Sequence, residues 1–257
     1  MARKRADILL VERGFFESRA RARAAIDAGG VTADGRVVGK AAELIEESAE
    51  IAAEAAHPWV GRGALKLVHA LELWPIALEG RVVLDVGAST GGFTEVCLSQ
   101  GAAMVYAVDV GRGQLHPKVA ADRRVVNLEG LDARDLDEAV ITRRPELVVC
   151  DVSFIGLAKA LPAALSLASE GADLVCLVKP QFEVGREHVG KGGVVKDEAA
   201  RERALGDVAA FLETSGWAVQ AQAQSPITGG DGNVEYLLWA RKRPPARVGR
   251  ERPPRTD

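Results

Sequence analysis

The sequence predicts an α/β fold in which a doubly wound sheet follows a small N-terminal α/β domain. Short apolar segments such as Val82–Val86 recur along the chain, as expected of parallel strands buried on both faces. Helical patterns and glycine-rich turns separate them, an alternation that is typical of doubly wound sheets. With 257 residues the chain is long enough for one such domain and a small extra module.

Composition narrows the class of protein. The formal net charge of −3 argues against a surface that coats nucleic acid, so any basic surface must be local. The three cysteines lie in apolar runs without C-x-x-C spacing and are expected to be core residues in a reducing compartment. The four histidines show no metal-ligand pattern, so no metal is expected. No apolar run approaches the ~20 residues that span a bilayer, and no signal sequence is visible, which predicts a cytoplasmic protein without membrane segments.

Residues 1–56 are predicted to form the small domain, a module of two helices and a small sheet. Ser18 is a plausible N-cap for the second helix, and Gly29-Gly30 ends it. The acidic segment 41–56 is expected to be the end of a helix or a strand. The remaining elements are a helix over Ala6–Val11, a helix over Arg19–Ala28 and a hairpin over Val31–Val38 around Asp34-Gly35.

Charge is unevenly distributed in this module. Residues 1–40 hold nine Lys or Arg against five acids, whereas residues 41–56 hold five acids and no base. Local clustering favours a phosphate-binding face over a solvated helix face. Neutralising about four phosphates would give a slope of roughly −3 in log affinity against log salt. The expected RNA-binding residues here are Arg3, Lys4, Arg5, Arg19, Arg21 and Arg23.

Three short motifs of the module carry a family likeness: Arg5-Ala6-Asp7-x-x-Leu10, Glu17-Ser18-Arg19-x-x-Ala22 and Ala28-Gly29-Gly30-Val31-x-x-x-Gly35. They resemble the small RNA-binding domain shared by a small-subunit ribosomal protein, pseudouridine synthases and tyrosyl-tRNA synthetases. The resemblance implies that residues 1–56 dock RNA.

His57-Pro58 indicates a domain junction, because proline restricts the residue before it. We therefore expect a linker over 57–63, a main domain over 64–242 and a tail over 243–257. From Arg241 to the C-terminus the chain has seven bases, two acids and four prolines, which predicts a disordered basic tail. In the main domain Lys66 opens a helix that runs to about Leu73.

From Val82 onward the sequence alternates between strand and helix patterns. The segments concerned are Val82–Val86, Phe93–Gln100, Met104–Asp109, Arg124–Asn127, Glu146–Asp151, Leu157–Ala168, Asp173–Lys179, Ala199–Ser215, Ala218–Gln224 and Glu235–Arg241.

The glycine-rich stretch from Gly87 to Gly92 predicts a nucleotide-type site between a strand and a helix. Glycines allow a sharp turn and let a ligand approach the backbone, and free N–H groups of the helix point at that ligand. Ser89 stands where the dinucleotide fingerprint needs a second glycine, so the match to NAD sites is imperfect. Asp109, ending the next strand, suits ribose hydroxyls in either cofactor class. Asp85 suits a cofactor with a cationic amino acid end, which favours S-adenosylmethionine.

Two polar residues end neighbouring predicted strands. Asp151 follows Leu147-Val148-Val149-Cys150, and Lys179 follows Leu174–Val178. Because ligands bind at the carboxyl ends of such strands, we expect both side chains at the mouth of the cofactor site. The stretch from Gly185 to Gly192 imitates a P-loop, but Gly192 replaces the magnesium-binding Ser or Thr and no strand directly precedes it. A substrate-side loop is therefore the favoured interpretation, and an NTPase is rejected.

Five motifs carry a second likeness, which spans nearly the whole chain except the tail. They are Gly61-Arg62-Gly63-Ala64-Leu65-Lys66-Leu67, the stretch from Asp85 to Thr94, Cys150-Asp151-Val152-Ser153-Phe154-Ile155, Val178-Lys179-Pro180-Gln181-Phe182-Glu183 and Gly190-Lys191-Gly192-Gly193-Val194-Val195. The chain resembles the TlyA (hemolysin A) family of ribosomal RNA 2′-O-methyltransferases, with a Rossmann-like class I methyltransferase domain similar to the FtsJ ribose methyltransferases. In place of the basic residue that family members commonly carry ahead of Trp-Val, this chain has His57-Pro58.

The resemblance implies an enzyme that uses S-adenosylmethionine to methylate ribose 2′-oxygens, of cytidine, in 16S or 23S ribosomal RNA or in both. Its catalytic tetrad matches Lys66, Asp151, Lys179 and Glu235, with Lys179 activating the hydroxyl. The implied cofactor-binding residues are Asp85, Gly87, Ala88, Ser89, Gly91, Gly92 and Phe93 for the methionine end, Asp109 for the ribose and Asp132 for the adenine. Arg62 joins the expected RNA-binding residues.

Two other functions remain open from the sequence. One is a catalytically silent RNA-binding factor for ribosome assembly. The other, suggested by the hemolysin name, is a membrane-active protein, against which the absence of a spanning segment and of a secretion signal argues. The sequence does not indicate the oligomeric state.

Overall fold

Buried strands form where the sequence has its apolar runs, and their ends carry the polar residues that the sequence singles out. The computed structural model describes residues 2–229 and 231–244. The chain divides into two compact units, one up to Pro58 and one from Trp59 onward.

The first unit contains two small helices and two small antiparallel sheets. Its elements are β1 (Arg3–Arg5), α1 (Ala6–Glu12), α2 (Arg19–Asp27), β2 (Val31–Ala33), β3 (Arg36–Val37), β4 (Leu44–Glu46) and β5 (Ile51–Ala53). Strand β1 pairs with β4, and the other sheet has the order β3-β2-β5. Ser18 caps α2 as predicted, because its Oγ accepts the N–H of Arg21 at 3.3 Å. Asp34 and Gly35 both have positive φ, 50° and 74°, as the predicted hairpin turn requires.

Two segments of this unit differ from expectation. The acidic segment 41–56, expected as one helix or strand end, supplies both β4 and β5. The basic residues Arg3–Arg5, for which no element was predicted, form β1, and in its register Arg3 lies across from Glu46. A cross-strand pair of opposite charge stabilises such a short ladder, and the local sequence pattern does not indicate this pairing.

The second unit is built around one seven-stranded sheet. Its elements are α3 (Ala64–Leu73), β6 (Val82–Val86), α4 (Gly92–Ser99), β7 (Met104–Asp109), α5 (Pro117–Ala120), β8 (Val125–Glu129), β9 (Leu147–Cys150), α6 (Leu157–Ala160), α7 (Pro162–Leu167), β10 (Asp173–Val178), α8 (Pro180–Glu183), α9 (Glu198–Thr214), β11 (Trp217–Gln224) and β12 (Tyr236–Lys242). Single 3-10 turns lie at Ala133–Asp135 and Arg186–His188.

The order of the sheet is β11-β12-β10-β9-β6-β7-β8. Strands β8, β7, β6, β9 and β10 run parallel, and β12 is antiparallel to both of its neighbours. The order reverses between β6 and β9, which is the switch point where doubly wound sheets bind ligands. The predicted doubly wound Rossmann-like class is confirmed.

Both faces of the sheet are buried, which explains its apolar strands. Alternate residues point to opposite faces, so Val83 and Val149 pack with α3 and α4, whereas Leu84 and Val148 pack with α6, α7 and α9. The segment 157–168 contains two short helices instead of one. Pro162 has no N–H to donate to the preceding turn, and it therefore begins α7.

The end of the second unit returns to the sheet. The backbone N–H of Arg243 donates to Gly216 O at 2.9 Å, so the first residue of the predicted tail is hydrogen-bonded. Residues 245–257, which make up the rest of that tail, lie outside the described residues. Within residues 2–229 and 231–244, no helix has both the length and the apolar character needed to cross a bilayer.

Candidate active site

The glycine-rich loop leaves β6 at the switch point in a conformation that its sequence permits. Gly87 has a φ of +83°, and a Cβ there would lie only 3.0 Å from Val152 Cγ1 and 3.1 Å from the Val152 backbone nitrogen. Any larger residue would therefore clash with the segment after β9. Ser89, also at positive φ (48°), is fixed because its N–H donates to Asp109 Oδ2 at 2.8 Å.

Two cavities lie at this edge of the sheet and share part of the loop. The first, of about 390 Å³, is lined by Gly87, Ala88, Ser89, Gly92 and Phe93 together with Arg62, Lys66, Asp151, Lys179 and Glu235. The second, of about 790 Å³, is lined by Gly87, Ser89, Asp109 and Asp132 and by the segment from Asp151 to Ile155. Their shared residues place the two cavities side by side at the carboxyl ends of β6 and β9.

The structure brings together the four side chains expected as the catalytic tetrad. Lys66 Nζ lies 2.6 Å from Glu235 Oε2 and 3.4 Å from Asp151 Oδ2. Lys179 Nζ lies 2.6 Å from Asp151 Oδ1. The four residues form one chain of alternating charge, Glu235–Lys66–Asp151–Lys179, in which Asp151 gives one oxygen to each lysine.

Each member of this chain comes from a different element. Lys66 lies in the first turn of α3, Asp151 directly follows β9, Lys179 directly follows β10 and Glu235 directly precedes β12. Because β12 runs antiparallel to β10, its first residues meet the carboxyl ends of the parallel strands. That reversal brings Glu235 to the site.

Burial makes the pairing of these groups necessary. Lys66, Lys179 and Glu235 are only 6%, 7% and 2% exposed. Lysine and glutamate are rarely buried unless paired, because removing a lone charge from water is costly. Lys66 contacts two carboxylates, whereas Lys179 contacts one carboxylate and donates a hydrogen bond to Ser153 Oγ at 2.9 Å.

The expected cofactor residues divide into those that line a cavity and those that support the loop. Asp109 accepts backbone N–H groups from Ser89 and Gly111, at 2.8 and 2.7 Å, and lines the larger cavity. Asp132 lines the same cavity, but both of its oxygens accept from the Arg134 guanidinium. Gly91 is not among the lining residues of either cavity and packs against Leu115.

Asp85 also supports the loop from beneath. It is fully buried in β6, and its Oδ2 accepts the Thr94 hydroxyl at 2.6 Å. Burial raises the pKa of the Asp85 carboxyl to about 7, although the hydrogen bond from Thr94 opposes the rise. Asp85 therefore couples β6 to helix α4 and does not itself line a cavity.

Several residues at or beside the site were not among the predicted site residues, although some of them lie in the motifs that carry the family likeness. Ser153 is the hydrogen-bond partner of Lys179, and Glu129 accepts the N–H groups of Gln114 and Leu115. Glu129 ends β8, so the strand-end rule that identified Asp109 could have found it. The other omissions are aromatic and amide residues that line the smaller cavity, Phe154, Gln181 and Phe182.

Phe154 is unusual among these residues. It is 91% exposed, has a φ of +67° and lies with its ring 5.2 Å from that of Phe182. A left-handed backbone conformation strains a large aromatic residue, and exposing its ring to solvent is also unfavourable. Such a residue at a cavity mouth therefore indicates a function for this position. No sequence pattern distinguishes it from a core phenylalanine.

Basic residues expected to bind RNA occupy β1 and α2 in the first unit. Six ion pairs involve them: Arg3–Glu46 at 3.6 Å, Lys4–Glu12 at 2.7 Å, Lys4–Glu47 at 3.5 Å, Arg5–Asp7 at 3.0 Å, Arg19–Asp7 at 2.6 Å and Arg23–Asp27 at 3.7 Å. The Arg21 N–H closes the Ser18 cap. Arg62, in the second unit, lines the smaller cavity and donates to Thr228 O at 3.3 Å.

The stretch from Gly185 to Gly192, which imitates a P-loop, follows helix α8 and does not follow a strand. This position agrees with the rejection of an NTPase site from the sequence. Its end is held by Asn233, which is 1% exposed, accepts the Val195 N–H and donates to Gly193 O. Asn233 lies two residues before Glu235, so this loop is tied to the segment that carries a member of the tetrad.

Comparisons with known proteins agree with this geometry. Residues 59–242 match the model of the FtsJ-like methyltransferase family, and residues 4–51 match the S4 domain. The chain is 49% identical to the 16S/23S rRNA (cytidine-2′-O)-methyltransferase TlyA of Mycobacterium tuberculosis, over 94% of this chain and 91% of that protein. It is 37% identical to hemolysin A of Brachyspira hyodysenteriae, over 91% and 98% of the two chains.

A solved structure supports the same assignment. A hemolysin-type protein from Streptococcus thermophilus is 39% identical, with a TM-score of 0.75 over 95% of this chain and 90% of the other. The sheet, the site at its switch point and these matches lead to one conclusion. The chain belongs to the TlyA (hemolysin A) family and consists of an S4 domain followed by an FtsJ-like methyltransferase domain.

Proposed function

We propose that this protein transfers a methyl group from S-adenosylmethionine to the 2′-oxygen of cytidine in ribosomal RNA, with the first unit docking the RNA. The observation that carries the proposal is the contact chain Glu235–Lys66–Asp151–Lys179 beside the glycine-rich loop. The TlyA relative from M. tuberculosis is named for this reaction on 16S and 23S rRNA. Such a substrate agrees with the expected cytoplasmic location.

The larger cavity suits S-adenosylmethionine. Its carboxylates, Asp109 and Asp132, are the groups that ribose hydroxyls and an adenine amino group require. The Gly87–Phe93 loop offers close backbone approach, and it borders both cavities. When bound, the cofactor supplies an electrophilic methyl group on a positively charged sulfur.

Residues of the smaller cavity would position and deprotonate the nucleophile. Methyl transfer forms a bond from the 2′-oxygen to the methyl carbon and breaks the bond from that carbon to sulfur, so the attacking oxygen must be held in line. Lys179, which lines the smaller cavity beside Asp151, would hold this oxygen. The hydroxyl proton passes to the Lys179–Asp151 pair, whose atoms are already 2.6 Å apart.

The other members of the tetrad keep this pair in place. Glu235 holds Lys66 at 2.6 Å, and Lys66 in turn contacts the second oxygen of Asp151. Ser153 fixes one of the three Lys179 donors, which restricts the rotation of the amine. Phe154 and Phe182 provide an aromatic surface on which the target base would stack.

The test is methyl transfer to separated, unmethylated small and large ribosomal subunits from radiolabelled S-adenosylmethionine, with the label mapped to a 2′-oxygen. We expect Lys179→Ala to reduce the rate by at least about 100-fold, the usual contribution of acid-base catalysis. Lys196→Ala is the matched control, because Lys196 is exposed and lines neither cavity.

Other outcomes would assign a different function. Label that persists with Lys179→Ala would remove the tetrad from catalysis. Ribosomal RNA binding without label, for the wild-type protein with cofactor, would instead indicate a silent assembly factor. The membrane-active alternative would require leakage from liposomes at physiological salt.

A further inference from the structure

We propose that Asp7 is a positioning residue that holds Arg5 and Arg19 together as one binding site for a single RNA backbone phosphate. The proposal rests on the RNA-docking role proposed above for the first unit. It goes beyond that role because it assigns the site to two of the basic residues and gives a buried acid a part in binding.

Asp7 lies in α1 and is buried, with 4% of its surface exposed to solvent. It accepts four hydrogen bonds from two guanidinium groups. Arg5 donates through Nε to Oδ1 at 3.0 Å and through Nη2 to Oδ2 at 3.1 Å. Arg19 donates to Oδ2 alone, through Nε at 3.1 Å and Nη2 at 2.6 Å.

This shared acceptor brings the two arginines close together. Both Nη2 atoms contact Asp7 Oδ2, so they lie within about 6 Å of each other. Asp7 engages only Nε and Nη2 of each guanidinium and leaves the edge that carries Nη1. With 43% and 57% of the Arg5 and Arg19 side chains exposed, these edges are accessible to a ligand, and a phosphate can accept from both.

The other ion pairs of the first unit are arranged differently. Arg3, Lys4 and Arg23 pair with surface acids whose side chains are 38% to 60% exposed. Such pairs are loosely held, and each cation in them is offset by at least one acid. Arg5 and Arg19 share one carboxylate between them, so this cluster retains a net positive charge.

The buried acid also lowers the cost of binding. An arginine side chain loses rotamer freedom when a ligand fixes it, and Asp7 has already ordered both arginines. The hydrogen bonds from Arg5 hold the pKa of the Asp7 carboxyl down at about 2, so it stays ionised wherever RNA is stable.

The decisive experiment uses Asp7→Asn, for which the two explanations predict opposite changes in RNA affinity. Removing a negative charge from an RNA-binding face should strengthen RNA binding if only net charge matters. If Asp7 positions the arginines, Asp7→Asn should instead weaken binding by about five- to tenfold. Affinity of the full-length protein for end-labelled, in vitro transcribed 16S and 23S rRNA would be measured by filter binding at several salt concentrations.

Two charge-conserving variants keep the test valid if Asp7→Asn disturbs the fold. Arg5→Lys and Arg19→Lys retain the positive charge but lose the planar two-nitrogen edge, and each should weaken binding several-fold. Arg36→Lys is the matched control, at an exposed position of β3 in the same unit and outside the expected RNA-binding residues, and it should bind as the wild type does. In an Arg5→Lys/Arg19→Lys background the penalty of Asp7→Asn should disappear, since there are no arginines left to position.

The results separate this inference from the proposed function. If the wild type methylates ribosomal RNA, but Asp7→Asn binds more tightly or the two lysine variants bind as the wild type does, Asp7 is not a positioning residue. If the wild type neither binds nor methylates ribosomal RNA, the proposed function itself fails. At saturating RNA the variants should retain the wild-type kcat and cofactor KM, because the methyltransferase unit is unchanged.

Discussion

Strand β10 has a charged cluster at each of its ends, and the two clusters are built in contrasting ways. At its carboxyl end lies the tetrad of Lys66, Asp151, Lys179 and Glu235. At its amino end, Asp173 accepts Arg81 Nη1 at 2.7 Å, Trp239 Nε1 at 2.9 Å and Arg241 Nε at 3.1 Å. We call this second group the amino-end cluster.

The amino-end cluster is saturated. Asp173 is completely buried, both of its oxygens accept hydrogen bonds, and Trp239 stacks on Trp74 with ring centroids 6.0 Å apart. Asp151 in the tetrad is different, because 18% of its side chain is exposed and it lines both cavities. Its Oδ1 lies close to Lys179, yet no hydrogen bond of good geometry to it is found among the described residues.

This contrast distinguishes a charged group that stabilises the fold from a charged group that can take part in the reaction. A buried carboxylate that is fully hydrogen-bonded and lines neither cavity contributes to stability, since nothing is left for a ligand to engage. A carboxylate that shares its oxygens between two lysines at a cavity wall can change partners when substrate arrives. The two clusters should therefore respond in opposite ways to the same substitution.

The largest effect is expected for Asp151→Asn. The amide cannot take up a proton from Lys179, so methyl transfer should fall by about 100-fold or more, with a smaller change in the free energy of unfolding than Asp173→Asn produces. The measurements are kcat for methyl transfer at saturating RNA and a urea unfolding curve. A near wild-type kcat for Asp151→Asn would contradict the catalytic role of the tetrad and, with it, the proposed difference between the two clusters.

Asp173→Asn should give the reverse result, a loss of about 3 kcal/mol in unfolding free energy with kcat retained in the folded protein. Burial raises the pKa of Asp173, but hydrogen bonds from Arg81, Trp239 and Arg241 outweigh it and hold that pKa below its usual range. Because the folded pKa is depressed, this stabilisation is present above the unfolded pKa of about 3.9 and is lost as pH falls through the folded value.

Urea unfolding between about pH 2 and pH 7 measures this effect, because the loss occurs below the unfolded pKa, and the variant should lack that part of the acid sensitivity. Asp207→Asn, at an exposed position of α9, is the control and should change stability by less than about 0.5 kcal/mol. A folded Asp173→Asn protein without methyltransferase activity would contradict the structural role.

A smaller effect is expected from Asp85, a buried carboxylate whose hydrogen-bond partner is the neutral Thr94 hydroxyl. Its folded pKa of about 7 lies above the unfolded value, so the native state binds the additional proton. Stability of the cofactor-free protein should therefore fall by about 2 kcal/mol as pH rises from 5 to 7. Asp85→Asn should remove this slope, and an unchanged slope in urea unfolding would assign it to other groups.

Much of the fold and of the tetrad follows from local pattern. Apolar runs predict the strands, and in a parallel sheet the residues after those strands meet at one edge, which is why Asp151 and Lys179 could be placed together before the structure was known. Lys66 and Glu235 entered through family likeness, because neither lies at the carboxyl end of a parallel strand.

The fold class, the strand positions, the glycine-rich turn and the residue types at the site follow from the amino-acid sequence, because they depend on periodicity and on local backbone preference. The pairing of the charges follows from the folded arrangement. Lys66 and Glu235 are 169 positions apart, and antiparallel β12 brings them into contact. Asp173 lies in a strand whose pattern gives no sign of its three donors. In the first unit, packing of α1 against α2 brings Arg19 to Asp7, which also contacts Arg5. Pairing depends on distances across the fold, which composition and spacing along the chain do not encode.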